Sequence, residues 1–372
     1  MQISQLSTAL PKNEYSTEEL LKTFPCKLPE GVIQNILNLG VTKRCLISQP
    51  DTTAKSEVPM NENELFELCK ESCQRAIHKA SIETDDIDYL IAAYDVNPFL
   101  SPGLSQMLVP KLELNRCVKH VNSQGIASTA FPKTLELAQD HFATHSSGNV
   151  LICISGVSSY WFHNQVRGIK NVMEISKIGT IKDELTRQLE LRKWVATMQF
   201  FLFGDGVAAA ILSNKNEGLT VDEIVEVTNV DEEDYLAGYA RLSLLDETFK
   251  FGFHSHLAKE IPDLGVKYTS LALDRLFGKQ AKNKMKAAKK WAVHTGSEKI
   301  LDALAEHHGA DKEKLKESHD VLRENGNLAG ASLPFILKRI SSTGKFSKGD
   351  TILMLAYGWG FSAAAGLLEF RC

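Results

Sequence analysis

The amino-acid sequence predicts an α/β fold built from two similar halves, and three observations carry that expectation. Short apolar strands alternate with amphipathic helical stretches along most of the chain, the pattern of a sheet covered on its faces by helices. The same order of signals appears twice. Each run closes on a Gly-x-Gly turn that feeds a strand of small residues.

In the first half, residues 65–80 carry the 3.6-residue apolar period of a helix, and 85–94 pass from an acidic turn into a buried strand. A helix follows at 129–144 and a strand at 149–155, and then Phe203-Gly204-Asp205-Gly206 opens a strand through Leu212. The second half repeats the order: a helix at 265–277, a lysine-rich loop, a strand at 290–294, a helix at 328–340, a strand at 350–356 and the turn Tyr357-Gly358-Trp359-Gly360. The division falls at 214–218, giving halves 1–215 and 216–372. Neither half is large enough to hide two helical layers alone, so a shared central helical layer is expected. Residues from about 164 to 197 have no counterpart in the second half. Within them, 182–194 has the charge density and leucine spacing of a surface helix, read either as plain surface or as a lid or docking element.

Composition narrows the class. At 372 residues, 43% hydrophobic and 24% charged, the chain is an ordinary soluble globular sequence large enough for one extended or two fused cores. A net charge of −4 provides no basic footprint for nucleic acid. The six lysines between 279 and 290 read as a solvated face; a functional alternative is attraction of a phosphate-rich carrier. No apolar run is long enough to span a membrane, and the N-terminus lacks a secretory pattern. The seven cysteines are scattered without metal-ligand spacing, and Cys69 and Cys73 read as core residues. A reducing, cytoplasmic compartment is expected, with no metal and no cofactor.

Three segments carry the chemistry. Trp291-Ala292-Val293-His294-Thr295-Gly296 and Glu324-Asn325-Gly326-Asn327 look like the His and Asn segments of a condensing enzyme. Asn122-Ser123-Gln124-Gly125-Ile126-Ala127-Ser128 should bring the nucleophile, yet Ile126 stands where a cysteine is expected. Together with Gly40-Val41-Thr42-Lys43-Arg44, Phe203-Gly204-Asp205-Gly206 and His256-Leu257-Ala258-Lys259-Glu260-Ile261-Pro262, these segments resemble the thiolase superfamily. The likeness is greatest to type III polyketide synthases of the chalcone-synthase kind, then to ketoacyl-carrier-protein synthase III, and it runs through nearly the whole chain.

The resemblance implies a thiolase-like fold, two halves in a layered α-β-α-β-α sandwich. It also implies a cysteine at a helix N-terminus that takes an acyl group from coenzyme A or a carrier protein. A histidine and an asparagine then hydrogen-bond the thioester carbonyl and stabilise an enolate. Carried over, His294 and Asn327 are the catalytic pair, Phe203 is the gatekeeping aromatic and Ile126 holds the nucleophile position. The departures gather around the pocket: Ser255 replaces a large aromatic, Trp359 replaces a phenylalanine, Phe361-Ser362 replaces Pro-Gly, and Gly156 replaces an acid.

A hydrocarbon cannot form a thioester. Ser123 and Ser128 flank Ile126, but on a helix beginning near Gly125 the Ser128 side chain points about 200° away. Ser123 can face the pocket, although serine needs a base in contact to act as a nucleophile. The first functional expectation is therefore an acyl-thioester-processing condensing enzyme or acyltransferase of polyketide or fatty-acid-type biosynthesis, working without a cysteine adduct. The second is a catalytically silent subunit paired with a Cys-bearing relative. The third is an acyl-thioester binding module. Acyl-coenzyme A or acyl-carrier protein is the expected partner in each, and a homodimer or heterodimer the expected assembly.

Overall fold

The computed structural model describes residues 1–50, 60–214, 218–242 and 253–371. Its strands in chain order are β1 (Gln2–Ala9), β2 (Glu14–Ser16), β3 (Lys43–Cys45), β4 (Ile87–Tyr94), β5 (Lys119–Gln124), β6 (Asn149–Ser155), β7 (Val207–Ser213), β8 (Leu219–Thr228), β9 (Gly238–Leu242), β10 (Phe253–Leu257), β11 (Lys290–Val293), β12 (Thr351–Gly358) and β13 (Ser362–Phe370). The helices are α1 (Thr17–Thr23), α2 (Glu30–Leu37), α3 (Glu62–Lys79), α4 (Leu104–Lys111), α5 (Ala130–Thr144), α6 (Ser159–Val166), α7 (Ile175–Ile178) and α8 (Glu184–Leu202). After them come α9 (Glu232–Leu236), α10 (Ile261–Phe277), α11 (Ala281–Ala287), α12 (Glu298–His308), α13 (Lys316–Asn325) and α14 (Ser332–Thr343).

Nine strands form one mixed sheet in the order β11-β12-β13-β8-β1-β7-β6-β4-β5. Strand β1 is its seam: it runs antiparallel to β7 along its length but meets β8 only through Gln2 with Thr220 and Ile3 with Leu219. On one side β4 lies parallel to both β5 and β6; on the other β11 and β12 are parallel.

The core clusters show the layering. Leu135 and Ala138 of α5 pack with Leu333, Ile336 and Ile340 of α14, between Ile91, Ile152 and Ala210 from one side of the sheet and Ala292, Met354 and Ala364 from the other. A separate cluster puts α3 and α4 on the outer face of β4, β6 and β7, and a third puts α10 and α12 outside β11, β12 and β13. The shared central helical layer and the thiolase-like α/β fold are thus as expected. Alanines at 208–210 and 363–365 are buried, and short side chains there let the helices approach the strands closely.

Three details qualify the sequence reading. The lysine-rich stretch is not a loop: α11 occupies it, with Met285 buried and Lys289 and Lys290 paired to Asp350, Glu313 and Glu317. Helix α8 is a surface helix only at its start; from Val195 to Leu202 it is buried against α1, α2 and the 166–172 segment. The expected boundary at 215/216 lies outside the described residues. Cys69 and Cys73 do belong to the core, where their thiols meet Cys153 of β6; the contact with Cys153 and burial raise Cys69 well above an ordinary thiol, and Cys153, held down by Cys69, is raised by Cys73 and burial. Among the described residues no helix is long and apolar enough to cross a membrane.

Candidate active site

The turn at Ile126 begins where β5 ends. Gly125 takes φ +77, Ile126 stays at φ −109, and Ala127 is forced to φ +43 before a 3₁₀ turn, Ala127–Thr129, leads into α5. The Ile126 side chain is half-buried against the central core. Its carbonyl accepts the Thr129 hydroxyl at 2.8 Å, which locks the turn. A Cβ on Gly358 would sit 3.2 Å from the Ser128 nitrogen and 3.5 Å from the Ile126 oxygen, so the end of β12 lies directly over the turn.

The Asn327 segment repeats this backbone. Gly326 takes φ +73 and Ala329 φ +47, and a second 3₁₀ turn, Ala329–Ala331, leads into α14. The two turns touch: a Cβ on Gly330 would fall 2.7 Å from the Ala130 Cβ and 3.2 Å from the Ala127 oxygen. Asn327 is buried, its Oδ1 accepting the Ala329 N–H at 2.9 Å. With the oxygen committed, the Nδ2 group is the part of the carboxamide left to meet a ligand.

Phe203 is held beside Asn327 by a parallel bridge: the Asn327 N–H donates to the Leu202 oxygen at 2.9 Å, and the Gly204 N–H donates to the Asn327 oxygen at 3.2 Å. The crossing is close enough that a Cβ on Gly204 would lie 2.0 Å from the Asn325 oxygen. Asp205 then ties this strand end to the neighbouring loops, accepting N–H bonds from Ile47 at 2.8 Å and from Ser158 and Ser159 at 2.9 Å, together with the Ser159 hydroxyl. Burial lifts its carboxyl above the ordinary value while these hydrogen bonds hold it down. The Phe203 ring stacks on Phe162 at 4.5 Å and meets Trp359 edge-on at 6.5 Å.

His294 follows β11 with only 2% of its surface exposed. Its N–H donates to the Leu355 oxygen at 2.9 Å, and the edge of Tyr357 lies 5.4 Å away at 77°. Gly296 leaves the room that the Tyr357 hydroxyl occupies, since a Cβ there would lie 2.2 Å from it. Burial drives the imidazole pKa down to about 3, so the ring is neutral across the physiological range. Its Nδ1 is buried without a hydrogen-bond partner. The next residues bind the two catalytic candidates together: Thr295 donates to the Ser332 hydroxyl at 2.9 Å, and that oxygen accepts the Leu328 N–H at 3.1 Å.

Ser255, on β10, is fully buried. Its hydroxyl donates to the Gln199 Oε1 and accepts the Gln165 Nε2 at 3.3 Å. Gln199 lies one helical turn before Phe203, so this polar cluster adjoins the aromatic set. Sequence reasoning missed both glutamines, because a glutamine on a helix reads as surface until its partner is known.

Ser123 stands apart. It pairs opposite Ala93 on β5, half-buried, and no base contacts its hydroxyl among the described residues.

Two features had no sequence signal. A cavity of about 420 Å³ is lined by Glu62, Val96, Asn97, Pro98, Tyr160 and Trp161, with Met60 beside them. Asp95 immediately precedes that wall. Its carboxyl faces the Ala127 N–H, and burial raises it to about 6. Elsewhere, Glu298, Asp302 and His319 bring ligand atoms within 4.8 Å of one another. The His319 Nδ1–Glu298 pair at 3.2 Å and the Lys312–Asp302 pair at 3.6 Å account for that grouping.

Comparison with known proteins agrees with this architecture. Residues 279–370 match the family model for the C-terminal part of 3-oxoacyl-[acyl-carrier-protein (ACP)] synthase III. The chain is 20% identical to 3,5-dihydroxyphenylacetyl-CoA synthase from Amycolatopsis balhimycina, covering 98% of this chain and 92% of that protein. It is 23% identical to beta-ketoacyl-[acyl-carrier-protein] synthase III from Coxiella burnetii, covering 99% and 98%. Among solved structures, 1,3,6,8-tetrahydroxynaphthalene synthase from Streptomyces coelicolor A3(2), a bacterial type III polyketide synthase, superimposes with a TM-score of 0.77 at 19% identity over the full length of both chains. A fungal type III polyketide synthase gives 0.78 at 20%, covering 100% and 99%. The fold is shared from end to end.

Proposed function

We propose that this chain is a condensing enzyme or acyltransferase of the type III polyketide synthase and ketoacyl synthase III kind. In this reading it acts on an acyl thioester of coenzyme A or a carrier protein without forming a cysteine adduct. One observation carries the reading: among the described residues His294 and Asn327 each keep a hydrogen-bonding group with no partner, and they are linked through Thr295 and Ser332, while the turn that would bear the nucleophile ends in the hydrocarbon of Ile126. A neutral imidazole and a carboxamide N–H, fixed before substrate arrives, suit a developing enolate or tetrahedral oxyanion. Removing one such donor typically costs about 3–4 kcal/mol of transition-state stabilisation. Phe203, Phe162 and Trp359 would form the apolar mouth, with Ser255 set behind it.

The test is incubation of the protein with malonyl and acyl thioesters, with products followed by mass spectrometry. Product formation that His294→Ala abolishes supports the reading; no turnover, or turnover indifferent to that change, ends it.

A second reading is a subunit that pairs with a Cys-bearing relative. It is favoured by β5, which has only β4 beside it at the end of the sheet, and by the nearby Phe99 and Leu100, the latter fully exposed. An open edge strand beside exposed apolar side chains is a natural pairing surface. Sedimentation of the purified chain distinguishes the cases: an active homodimer opposes the silent-subunit reading, and an inert monomer that gains activity with a relative supports it.

A further inference from the structure

Strands β4, β5 and β6 run parallel and end side by side, Tyr94 pairing with Gln124 on one flank and Ser155 on the other. The residues just beyond those ends are Asp95, Gly125 and Gly156. The crevice outside the carboxyl ends of parallel strands is where open α/β sheets place their ligands. Asp95 is the one ionisable side chain of the three. The chain continues from it into Val96, Asn97 and Pro98, which wall the 420 Å³ cavity. On its other side the Ala127 N–H, turned by the positive φ of that residue, faces the carboxyl. The backbone of Asp95 thus leads into the segment that walls the cavity while its carboxyl faces the turn at Ile126, and that turn packs on the one capped by Asn327.

Resting on the function proposed above, we infer that Asp95 is the general base of this site, taking the proton of a hydroxyl acyl acceptor, and that the reaction is acyl transfer to oxygen. The hydroxyl proton passes to the Asp95 carboxylate as the acceptor oxygen bonds to the thioester carbonyl carbon. The resulting oxyanion is held by the Asn327 Nδ2 group and the neutral His294. When it collapses, the C–S bond breaks and the departing thiolate recovers the proton from Asp95. An acyl thioester and an alcohol, or water, thus become an ester, or an acid, and a free thiol, with no oxidant or reductant.

Two physical points favour this over condensation with malonyl. Decarboxylation releases a carbanion directly, so a base there would be idle. A second carboxylate beside an ionised Asp95 would also be repelled at low dielectric, and no cation pairs with Asp95 among the described residues. Titratable side chains on the surrounding elements include Glu62 and Cys69 on α3, Lys119 and His120 on β5, Cys153 on β6, and Tyr160 and His163 on α6. None of them figures in its shift, which comes from burial and is opposed by the Ala127 N–H.

The test uses the full chain with octanoyl-coenzyme A, water or 1-propanol as acceptor, and thiol release measured from pH 5 to 9. The unmodified protein should release thiol and form the acid or the propyl ester, with activity falling as pH drops through about 6, where the carboxylate is protonated. Asp95→Asn should lower kcat by about 100-fold or more with KM little changed, and Asp95→Glu should restore part of the rate with the acidic limb. A flat profile through that range overturns the inference even if Asp95→Asn fails to fold. Turnover that His294→Ala abolishes but Asp95→Asn leaves intact overturns it alone. No thiol release by the unmodified protein removes both the inference and the reading beneath it.

Discussion

The turn at 125–129 and the turn at 326–331 are two copies of one device. Each begins with a left-handed glycine, places an alanine at φ 43 or 47 within three residues, closes a 3₁₀ turn and opens a central helix. Their chemistry is opposite. The first presents Ile126 and the second presents Asn327, whose oxygen caps its own turn and whose amide remains for a ligand. The backbone is therefore a common platform, and what each copy can do is decided by one side chain. One backbone turn can thus be kept in both halves while its two copies present different side chains.

The sharpest way to break the comparison is at Gly204, where the Phe203 strand end crosses the Asn327 turn. Gly204→Ala would drive a methyl group against the Asn325 oxygen, and a loss of about 3 kcal/mol or more is expected in urea unfolding. Asn327→Ala should cost about 100-fold in thioester turnover, from the lost donor, and about 1 kcal/mol of stability, from the lost cap. Retained turnover in that variant would remove the asymmetry between the turns. Ile126→Cys tests whether the first turn is still competent. A thiol there sits at the start of α5, and acylation by octanoyl-coenzyme A should appear as a mass increase on the Ile126→Cys variant and not on the unmodified protein.

Two groups near these turns titrate in opposite senses. His294 has its pKa lowered to about 3, so folding favours the neutral ring. Its stabilisation is present above the unfolded value near 6.5 and is lost as pH falls towards about 3. Asp95 has its pKa raised to about 6, so its contribution runs the other way, present at low pH and lost as pH rises through about 6. Asp95→Asn should therefore raise the melting temperature at pH 8 but not at pH 4, and a uniform shift would contradict that assignment. The smallest effect belongs to the turns themselves: Ala127→Gly should relieve positive-φ strain and stabilise by up to about 1 kcal/mol, and Ala329→Gly likewise.

Much of this was legible in the residues. Period-2 and period-3.6 patterns are local, so α5, β6, β7, α10 and β12 fall within a few residues of their expected places. Short motifs are also local, which is why His294, Asn327, Phe203 and Trp359 stand out without a structure, through their resemblance to a known family. Burial of α8 was not legible, because its first turns are charged and only the packing of α1 and α2 makes its second half interior. Nor were Gln165 and Gln199, whose role depends on two helices bringing them to Ser255.

The sequence by itself therefore determined the order of elements, the repeated Gly-x-Gly turns at 204–206 and 358–360 and the absence of a thiol at position 126, because each follows from neighbours along the chain. Tertiary structure alone decided that His294 is neutral, that Asp95 faces the Ala127 N–H, and that no base contacts Ser123 among the described residues. Desolvation and proximity are properties of groups far apart in sequence, and they exist only once the layers have packed.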